Sequence, residues 1–423
     1  VGMPVGMSTM IQVGLPKGNF AIAAGLLSTY EFEQQIGNSL VVREPLGVVG
    51  CITPWNYPLH QIALKIAPAM AAGNTVVVKP SEVAPINAFM LAEIIHAAGV
   101  PAGVFNLVTG VGPVVGEAIA AHPGVDMVSF TGSTRAGKRV AVVAAENVKK
   151  VSLELGGKNP LVVMPSANLE NAVEGAYWGA FGTAGQRCTS LGNLILHKDI
   201  YDDFMTKFME KVESTTIGDS LVHDGVLYGP MLSEKYAKDF LTGVDMCNAS
   251  GAKQIFGQGR ITSDNKPTNF LSNAEDGVYM WPHVFTEVAE DMKCFHEEVF
   301  GPAITICKAD DFDHALHLAN ASPYGLSSAI YTNDRLEAYR YKTGIKAGMT
   351  GINNSTTGAE AHLPFGGVKG SGNGTRESGI WVIEAYSYWH AVNDELSGKL
   401  QLAQMDVEEV EMAEADVDWT QLA

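Results

Sequence analysis

From residue 46 onward, short apolar runs alternate with longer amphipathic stretches along the chain. The short runs are rich in β-branched residues, which is typical of strands, and the longer stretches have helical spacing. The predicted strands cover residues 47–52, 75–79, 104–108, 127–130 and 151–155, and the predicted helices cover residues 59–71, 86–98, 114–121 and 135–146. A helix after each strand predicts a parallel sheet with crossover helices, covered on both faces.

A second block of the same kind follows Gly156 and Gly157. Its predicted strands cover residues 161–164, 193–197, 303–307, 327–331 and 349–352, and its clearest helices cover residues 199–216 and 233–250. A chain of 423 residues is also long for a single hydrophobic core. We therefore predict an α/β protein whose two domains meet near Gly156.

The composition narrows the functional classes. Hydrophobic residues make up 46% of the chain and charged residues 17%, which is typical of a folded enzyme. The net charge of -18 disfavours nucleic-acid or anionic-membrane partners, although part of it lies in an acidic tail at 397–423. The sequence contains no apolar run as long as a membrane span and no signal-peptide pattern at its start. The five cysteines are scattered along the chain, which predicts a reduced, cytoplasmic protein. The eleven histidines lack metal-ligand spacing, so no metal site is predicted.

One cysteine has the surroundings of a nucleophile. Cys188 follows Gly185-Gln186-Arg187, and an accessible thiolate on such a loop can attack a carbonyl carbon. The alternative is a buried structural cysteine, which suits Cys51 and Cys307 in their apolar strand runs. Local sequence alone leaves both interpretations of Cys188 open.

Two further polar residues stand where predicted strands end. Glu154 lies between Leu153 and Leu155, where lost solvation would raise its pKa towards that of a general base. Its alternative role is to cap nearby backbone amides. Asn56 lies between a strand and a helix, where its amide can donate to a developing oxyanion, or can instead cap the helix that starts at Pro58.

Phosphate and ribose recognition have weaker candidates. Gly132 and Ser133 follow a strand and open a helix, so backbone amides there can meet a pyrophosphate. Gly112 belongs to a near miss of the dinucleotide fingerprint, with one residue too many before the last glycine. Lys79 and Glu82 end another strand and can hold ribose hydroxyls, or can be two solvated loop charges.

Taken together, these segments resemble the aldehyde dehydrogenase superfamily, from about Asn38 to Asn393. The motifs that carry the resemblance, in family order, are Thr53-Pro-Trp-Asn56, Lys79-Pro-Ser-Glu82, Phe130-Thr-Gly132-Ser133, Glu154-Leu-Gly-Gly157, Gly185-Gln-Arg-Cys188, Glu298-Val-Phe300-Gly-Pro302 and Pro364-Phe-Gly-Gly367. The resemblance implies a Rossmann-like cofactor domain (1–36 and 48–156), an α/β catalytic domain (157–372) and oligomerisation strands (37–47 and 385–394) that form a dimer or tetramer. Family members normally have further elements before residue 1, so the N-terminal part of the cofactor domain is expected to be missing.

The same resemblance implies the roles of the site residues. Cys188 would be the nucleophile, Asn56 and the Cys188 amide the oxyanion hole, and Glu154 the base that hydrolyses a thioester. The residues implied to contact the cofactor are Thr53, Pro54, Trp55, Lys79, Ser81, Glu82, Gly112, Gly132, Ser133, Leu155, Glu298 and Phe300. A carboxylate at Glu82 favours NAD over NADP.

The substrate and two alternative functions remain open. Tyr57, Trp178 and Glu360 fall where the family lines its substrate entrance, and an acid there suggests a cationic or amino-bearing aldehyde. The alternatives are a catalytically silent oligomeric protein and an enzyme that passes the acyl group to coenzyme A. The acylating relatives generally lack the residue that corresponds to Glu154, so its presence argues against the second alternative.

Overall fold

The computed structural model describes residues 1–37, 39–358 and 360–394. Within them the chain forms two large sheets flanked by helices and one small antiparallel sheet. The predicted α/β class is confirmed. Asn38, at the start of a predicted oligomerisation strand, and the acidic tail at 397–423 lie outside the described residues.

Five parallel strands form the first sheet, which the alternating pattern predicted. Their order across the sheet is Phe105–Leu107, Thr75–Lys79, Val48–Ile52, Met127–Thr131 and Lys150–Glu154. The helices that connect them are Pro58–Ala71, Ile86–Ala97, Glu117–Ala121 and Thr134–Ala145. Val49 and Cys51 join the core on one face and Ile52 joins the core on the other. Helices cover both faces, so these strands are apolar throughout.

Seven strands form the second sheet around the largest hydrophobic core. Their order is Lys253–Phe256, His283–Thr286, Ala303–Ala309, Leu191–His197, Asn159–Val163, Ser327–Tyr331 and Met349–Ile352. All neighbouring pairs are parallel except the first, which is antiparallel. Its longer helices are Leu169–Phe181, Tyr201–Glu213, Glu234–Ala249, Phe312–Ala321 and Arg335–Gly344.

The small antiparallel sheet has three strands, Glu33–Ile36, Ser39–Pro45 and Ser387–Asn393. The family resemblance implied the second and third but placed residues 33–36 in the cofactor domain. Those four residues, Glu-Gln-Gln-Ile, are exposed and lack the apolar alternation by which a strand is recognised in a sequence.

The remaining elements are short, apart from one N-terminal helix. The helices are Val5–Ser8, Leu15–Leu26, Lys293–His296 and Val382–Ala385, and the π-helical turns are Thr9–Gly14 and Gly112–Gly116. The 3-10 turns are Gly182–Gly185, Lys198–Ile200 and Ala274–Asp276. Two pairs of short strands remain: Ile217–Gly218 pairs with Phe270–Leu271, and Tyr324–Gly325 pairs with Val368–Lys369. The helix predicted at 114–121 therefore starts as a π-helical turn. No helix in the described ranges combines the length and the apolar character needed to cross a membrane.

Candidate active site

Asn56 lies in the loop that connects the strand Val48–Ile52 to the helix Pro58–Ala71. Its side-chain Nδ2 donates to the carbonyl oxygen of Gln186 at 3.0 Å, which ties this loop to the one that carries Cys188. The helix N-cap is Tyr57, without a side-chain capping bond. The capping alternative for Asn56 is therefore wrong, and no second acceptor for its amide is found among the described residues, so one of its two hydrogens is available to a ligand.

The loop before Cys188 has an unusual backbone. Thr183, Ala184 and Gly185 follow one another with positive φ angles of 54°, 56° and 64°. Glycine is required at 185, because a Cβ there would lie 2.1 Å from the carbonyl oxygen of Gly301. Two non-glycine residues in this region cost of order 1 kcal/mol each, and such strain concentrates at functional sites. Asn159 then fixes the loop, because its Nδ2 donates to the Cys188 carbonyl oxygen at 2.8 Å.

Cys188 is the one cysteine of the five that is not fully buried. Burial and the negative charges of Glu154 and Glu298 raise the pKa of its thiol to about 12, and the backbone amides of Cys188 and Thr189 oppose that shift. The free cysteines at 51 and 307 are buried, which confirms the structural interpretation for both of them.

Two cavities meet at Cys188. The first, here called the Trp178 cavity, has a volume of about 230 Å³. The second, the Phe300 cavity, has a volume of about 310 Å³. Asn56, Gln61 and Cys188 line both of them. The Cys188 thiol and the Asn56 amide thus lie in the walls of both cavities. This arrangement suits a reaction between two different ligands, one in each cavity.

Glu154 ends the last strand of the first sheet and is buried. Neither carboxylate oxygen accepts a hydrogen bond within the described residues, so the amide-capping alternative is wrong. Burial, and next the like charge of Glu377, raise its pKa well above the usual range. Glu154 lines neither cavity, but it is close enough to Cys188 for its negative charge to raise the pKa of the thiol.

The sequence patterns did not indicate the ionic pair beside Glu154. Lys65 and Glu377 form a buried salt bridge, and Lys65 also donates to the Ser129 hydroxyl at 3.1 Å. The Lys65 charge lowers the pKa of Glu154 and so opposes the effect of Glu377. A lone lysine inside the apolar helical run at 62–69 was the available signal, because an ordinary surface lysine would not have apolar neighbours on every side.

Glu298 and a group of aromatic side chains line the Phe300 cavity. The Glu298 carboxylate accepts a hydrogen bond from the Gly157 amide at 3.0 Å, and burial raises its pKa to about 7. The Trp55 ring packs against Tyr236 at 4.6 Å and Phe300 at 5.7 Å between ring centroids. Tyr236 was not predicted, since nothing in the amphipathic helix Glu234–Ala249 distinguishes it.

Lys79, Glu82 and Gly112 come together at the edge of the first sheet. The Lys79 Nζ lies 3.1 Å from a Glu82 carboxylate oxygen. Burial raises the pKa of Glu82, but its own backbone amide, Lys79 and the Gly112 amide outweigh that effect and lower it. Glu82 also contributes to the raised pKa of Tyr236, so this cluster adjoins the Phe300 cavity.

The remaining predicted cofactor residues fall into two groups. Those that line the Phe300 cavity are Pro54, Trp55, Gly132, Ser133, Leu155, Glu298 and Phe300. Ser133 also caps the helix Thr134–Ala145, since its Oγ accepts from the Ala136 amide at 3.4 Å. Thr53 and Ser81 are buried and line neither cavity.

The predicted substrate entrance is found only in part. Tyr57 and Trp178 line the Trp178 cavity together with Arg187 and Phe365. Glu360 does not line it; the exposed Glu360 side chain faces a separate cavity beside the edge strand Met349–Ile352 and lies 3.9 Å from His362. Thr357 of the same loop lines the Trp178 cavity but Glu360 does not, so the acid expected at the entrance is absent from that wall as far as the described residues show.

Comparisons with known sequences identify the family of this chain. The sequence profile of the aldehyde dehydrogenase family matches residues 1–392. The α-ketoglutarate semialdehyde dehydrogenase of Haloferax volcanii is 42% identical over 353 residues, which are 83% of this chain and 71% of that protein.

Solved structures of aldehyde dehydrogenases are also similar to this chain. The NAD-dependent aldehyde dehydrogenase of Sinorhizobium meliloti is 36% identical with a TM-score of 0.88, over 95% of this chain and 78% of that one. Aldehyde dehydrogenase C of Pseudomonas syringae, solved as a cysteine-to-alanine variant with NAD+ and octanal, is 38% identical with a TM-score of 0.84, over 90% and 76% of the two chains. The fold and site define an oxidoreductase of aldehydes, and the chain belongs to the aldehyde dehydrogenase family.

Proposed function

We propose that this chain oxidises an aldehyde to a carboxylic acid, with NAD as the oxidant, through a thioester on Cys188. The observation that carries the proposal is that Cys188 and Asn56 line both the Trp178 cavity and the Phe300 cavity, so that an aldehyde and a cofactor have one wall in common. The solved relative that contains NAD+ and octanal supports the same pairing of ligands.

The Phe300 cavity suits the nicotinamide end of NAD. The Thr131 hydroxyl in its wall is buried without a partner in the described structure, and the Glu298 carboxylate can accept from ribose hydroxyls. Lys79 and Glu82 would hold the adenosine ribose, and the helix that Ser133 caps would meet the pyrophosphate. When bound, NAD supplies the hydride acceptor and a positive charge.

Asn56 and Cys188 would carry out the first half of the reaction. The Cys188 sulfur bonds to the carbonyl carbon while the thiol proton leaves to solvent, and the π electrons move onto the oxygen. The free amide hydrogen of Asn56 and the Cys188 backbone amide would stabilise that oxyanion, which is the role of prepositioned donors in acyl chemistry. Loss of hydride from the carbon leaves a thioester.

Glu154 would carry out the second half. Its carboxylate has no hydrogen bond to lose and a raised pKa, so it can remove a proton from a water molecule. The resulting hydroxide bonds to the thioester carbon, and the carbon–sulfur bond breaks to release the acid. Gly366 stands against this carboxylate, because a Cβ there would lie 2.7 Å from Glu154 Oε1.

Activity should rise with pH. Both groups act in their deprotonated forms, and the structure raises the pKa of Glu154 and raises that of Cys188 to about 12. Lowering the pH therefore protonates the base and the nucleophile, and below both pKa values each unit should lower the rate up to about tenfold. Steady-state NADH formation measured between about pH 6 and 9 checks this, and a flat profile would contradict it.

Replacing Glu82 with glutamine should shift the cofactor preference towards NADP. A carboxylate beside the ribose repels a 2′-phosphate, so we expect the NADP to NAD ratio of kcat/KM to rise roughly tenfold. Glu93→Gln, on the exposed face of the helix Ile86–Ala97, is the matched control and should leave the ratio unchanged. An unchanged ratio in the Glu82 variant would place this side chain away from the ribose.

The test of the proposed function is direct. The protein is incubated with NAD and a panel of aldehydes while NADH absorbance and the carboxylic acid product are followed. A folded protein that oxidises none of them would support the silent alternative, and a rate that depends on added coenzyme A would support acyl transfer. The family relationship favours neither alternative.

The wider organisation follows the same proposal. We infer that residues 48–156 bind the cofactor and residues 157–372 carry the nucleophile. Among the residues that the structure describes, the strand Ser387–Asn393 leaves one edge unpaired and exposes Tyr388 and Trp389, which supports self-association to a dimer or tetramer. Five free cysteines support a reducing cytoplasmic location.

A further inference from the structure

Gln61 is a polar residue at the junction of the two active-site cavities to which the proposed reaction gives no role. It lies one turn into the helix Pro58–Ala71 and lines both the Trp178 cavity and the Phe300 cavity, as Asn56 and Cys188 do. The side chain is only 6% exposed. A group bound to the Cys188 sulfur therefore has this buried amide in the wall around it.

The Gln61 side chain does not stabilise the helix that carries it. Its backbone amide makes the ordinary helical bond, donating to the Tyr57 carbonyl oxygen at 2.9 Å. Its side-chain Oε1 is buried and accepts no hydrogen bond within the part of the chain that the structure describes. A buried oxygen without a donor is costly, and an apolar side chain of equal length would avoid that cost. We therefore expect this oxygen to serve a donor that enters the site from outside the protein.

Glu154 lies directly behind the same junction. The next residue, Leu155, lines the Phe300 cavity. On the other side Phe365 lines the Trp178 cavity, and a Cβ on the following Gly366 would lie 2.7 Å from Glu154 Oε1. The chain neighbours of the two groups in contact thus form part of one cavity wall each, so the carboxylate stands where the two walls meet.

The helix Pro58–Ala71 links the carboxylate to the thiol. Lys65 follows Gln61 by four positions, so the two side chains are neighbours on one helical face. The Lys65 charge acts on Glu154 and lowers its pKa, which places that end of the face beside the carboxylate. The other end, at Gln61, shares both cavity walls with Cys188. Gln61 therefore lies on the way from the base to the nucleophile.

Two unsatisfied acceptors next to each other suit one water molecule. Both oxygens of Glu154 are buried without a hydrogen bond in the described residues, as is Gln61 Oε1. Water can donate one hydrogen to each of two acceptors, and buried waters are held by polar groups that the protein leaves unsatisfied. With both hydrogens held in this way, the water oxygen keeps its lone pairs for a carbon atom.

We propose that Gln61 is the positioning residue for the water that hydrolyses the Cys188 thioester. The inference rests on the proposed function and adds a residue to the second half of its reaction. The water donates one hydrogen to Gln61 Oε1 and the other to Glu154. Glu154 takes the second proton while the water oxygen bonds to the thioester carbon, and the first hydrogen stays on that oxygen. The carbon–sulfur bond then breaks with its electron pair on sulfur, the carboxylic acid leaves, and the Glu154 proton passes to the thiolate.

Competition between water and hydroxylamine for the thioester tests the proposal. The protein is incubated with NAD, butanal and hydroxylamine, and butanoate and the butanoyl hydroxamate are measured by mass spectrometry. Both products come from one thioester, so their ratio is independent of the first half of the reaction and of the folded fraction. We expect Gln61→Met to raise the ratio of hydroxamate to acid about tenfold, which is the effect of one hydrogen bond on the attack of water.

The matched control is Gln254→Met. Gln254 is a half-buried glutamine that donates to the Gly257 carbonyl oxygen and accepts from Asn248, far from both cavities in the wall lists of which it has no part, and its replacement should leave the ratio unchanged. An unchanged ratio in Gln61→Met would overturn the inference, even if NAD affinity or the KM for butanal changed. If the unmodified protein yields neither acid nor hydroxamate, the proposed function itself fails.

A double variant shows whether Gln61 and Glu154 act on the same water. In a Glu154→Gln background, Gln61→Met should change the ratio less than about twofold, because that background has already lost the activated water. Two effects that multiply would mean that the residues act independently, and would contradict the proposal. Gln61→Asn keeps the amide but sets it back by one carbon, so it should raise the ratio by less than Gln61→Met does, and it decides the matter if the Met variant does not fold.

Discussion

Replacing Cys188 with serine should lower aldehyde oxidation on the order of 10⁴-fold or more, as removal of a covalent nucleophile does in other enzymes. The serine hydroxyl has nearly the shape of the thiol but is far less nucleophilic, so the bond to the carbonyl carbon would not form at a useful rate. NAD binding should persist, because Glu298, Phe300 and the Lys79–Glu82 pair are untouched.

Two measurements check this expectation. Fluorescence or calorimetric titration gives the Kd for NAD, and initial NADH formation gives turnover. Cys307→Ala is the matched control, since that thiol is buried in the strand Ala303–Ala309 and lines neither active-site cavity. Turnover retained by the serine variant would remove Cys188 from the mechanism.

Replacing Glu154 with glutamine should separate the two halves of the reaction. The first half does not require this carboxylate, so mixing with NAD and aldehyde should still give a burst of about one NADH per active site. The steady-state rate should then fall roughly 10² to 10³-fold, because the thioester has lost the base that activates water. Stopped-flow absorbance resolves both phases.

Hydroxylamine provides an independent readout for the same variant. It attacks a thioester without the help of a general base, so it should restore steady-state turnover and yield a hydroxamate. Glu290→Gln, an exposed carboxylate paired with His317, is the control and should behave as the unmodified enzyme does. An unchanged steady-state rate in Glu154→Gln would show that Glu154 is not the base. A missing burst would show that Glu154 acts in the first half of the reaction.

Much of the site could be predicted because its parts are local. Strand ends, glycine pairs and polar residues in apolar settings are visible along the chain, and those signals made Glu154, Cys188 and Asn56 candidates. The role of each residue, however, could not be inferred from its neighbours in the sequence. Asn56 could have capped a helix and Glu154 could have capped amides, and only the three-dimensional contacts exclude these alternatives.

The residues that were missed or misplaced act through long-range neighbours. Lys65 and Glu377 are separated by 312 positions and meet only in the folded core. Glu360 stands close in sequence to Phe365, which lines both the Trp178 cavity and the cavity beside the strand Met349–Ile352, yet Glu360 lines only the second of these.

The sequence by itself determined the α/β class and the parallel sheet, and it marked the loop that carries Cys188 as a candidate site. Periodicity and local residue type are properties of neighbouring residues, so these features are written along the chain. Tertiary structure alone decided which charges are paired, which amide stays free and which cavity each side chain faces. Those properties depend on the exclusion of water by distant segments, and burial raises the pKa of Glu154 only when those segments have closed around it.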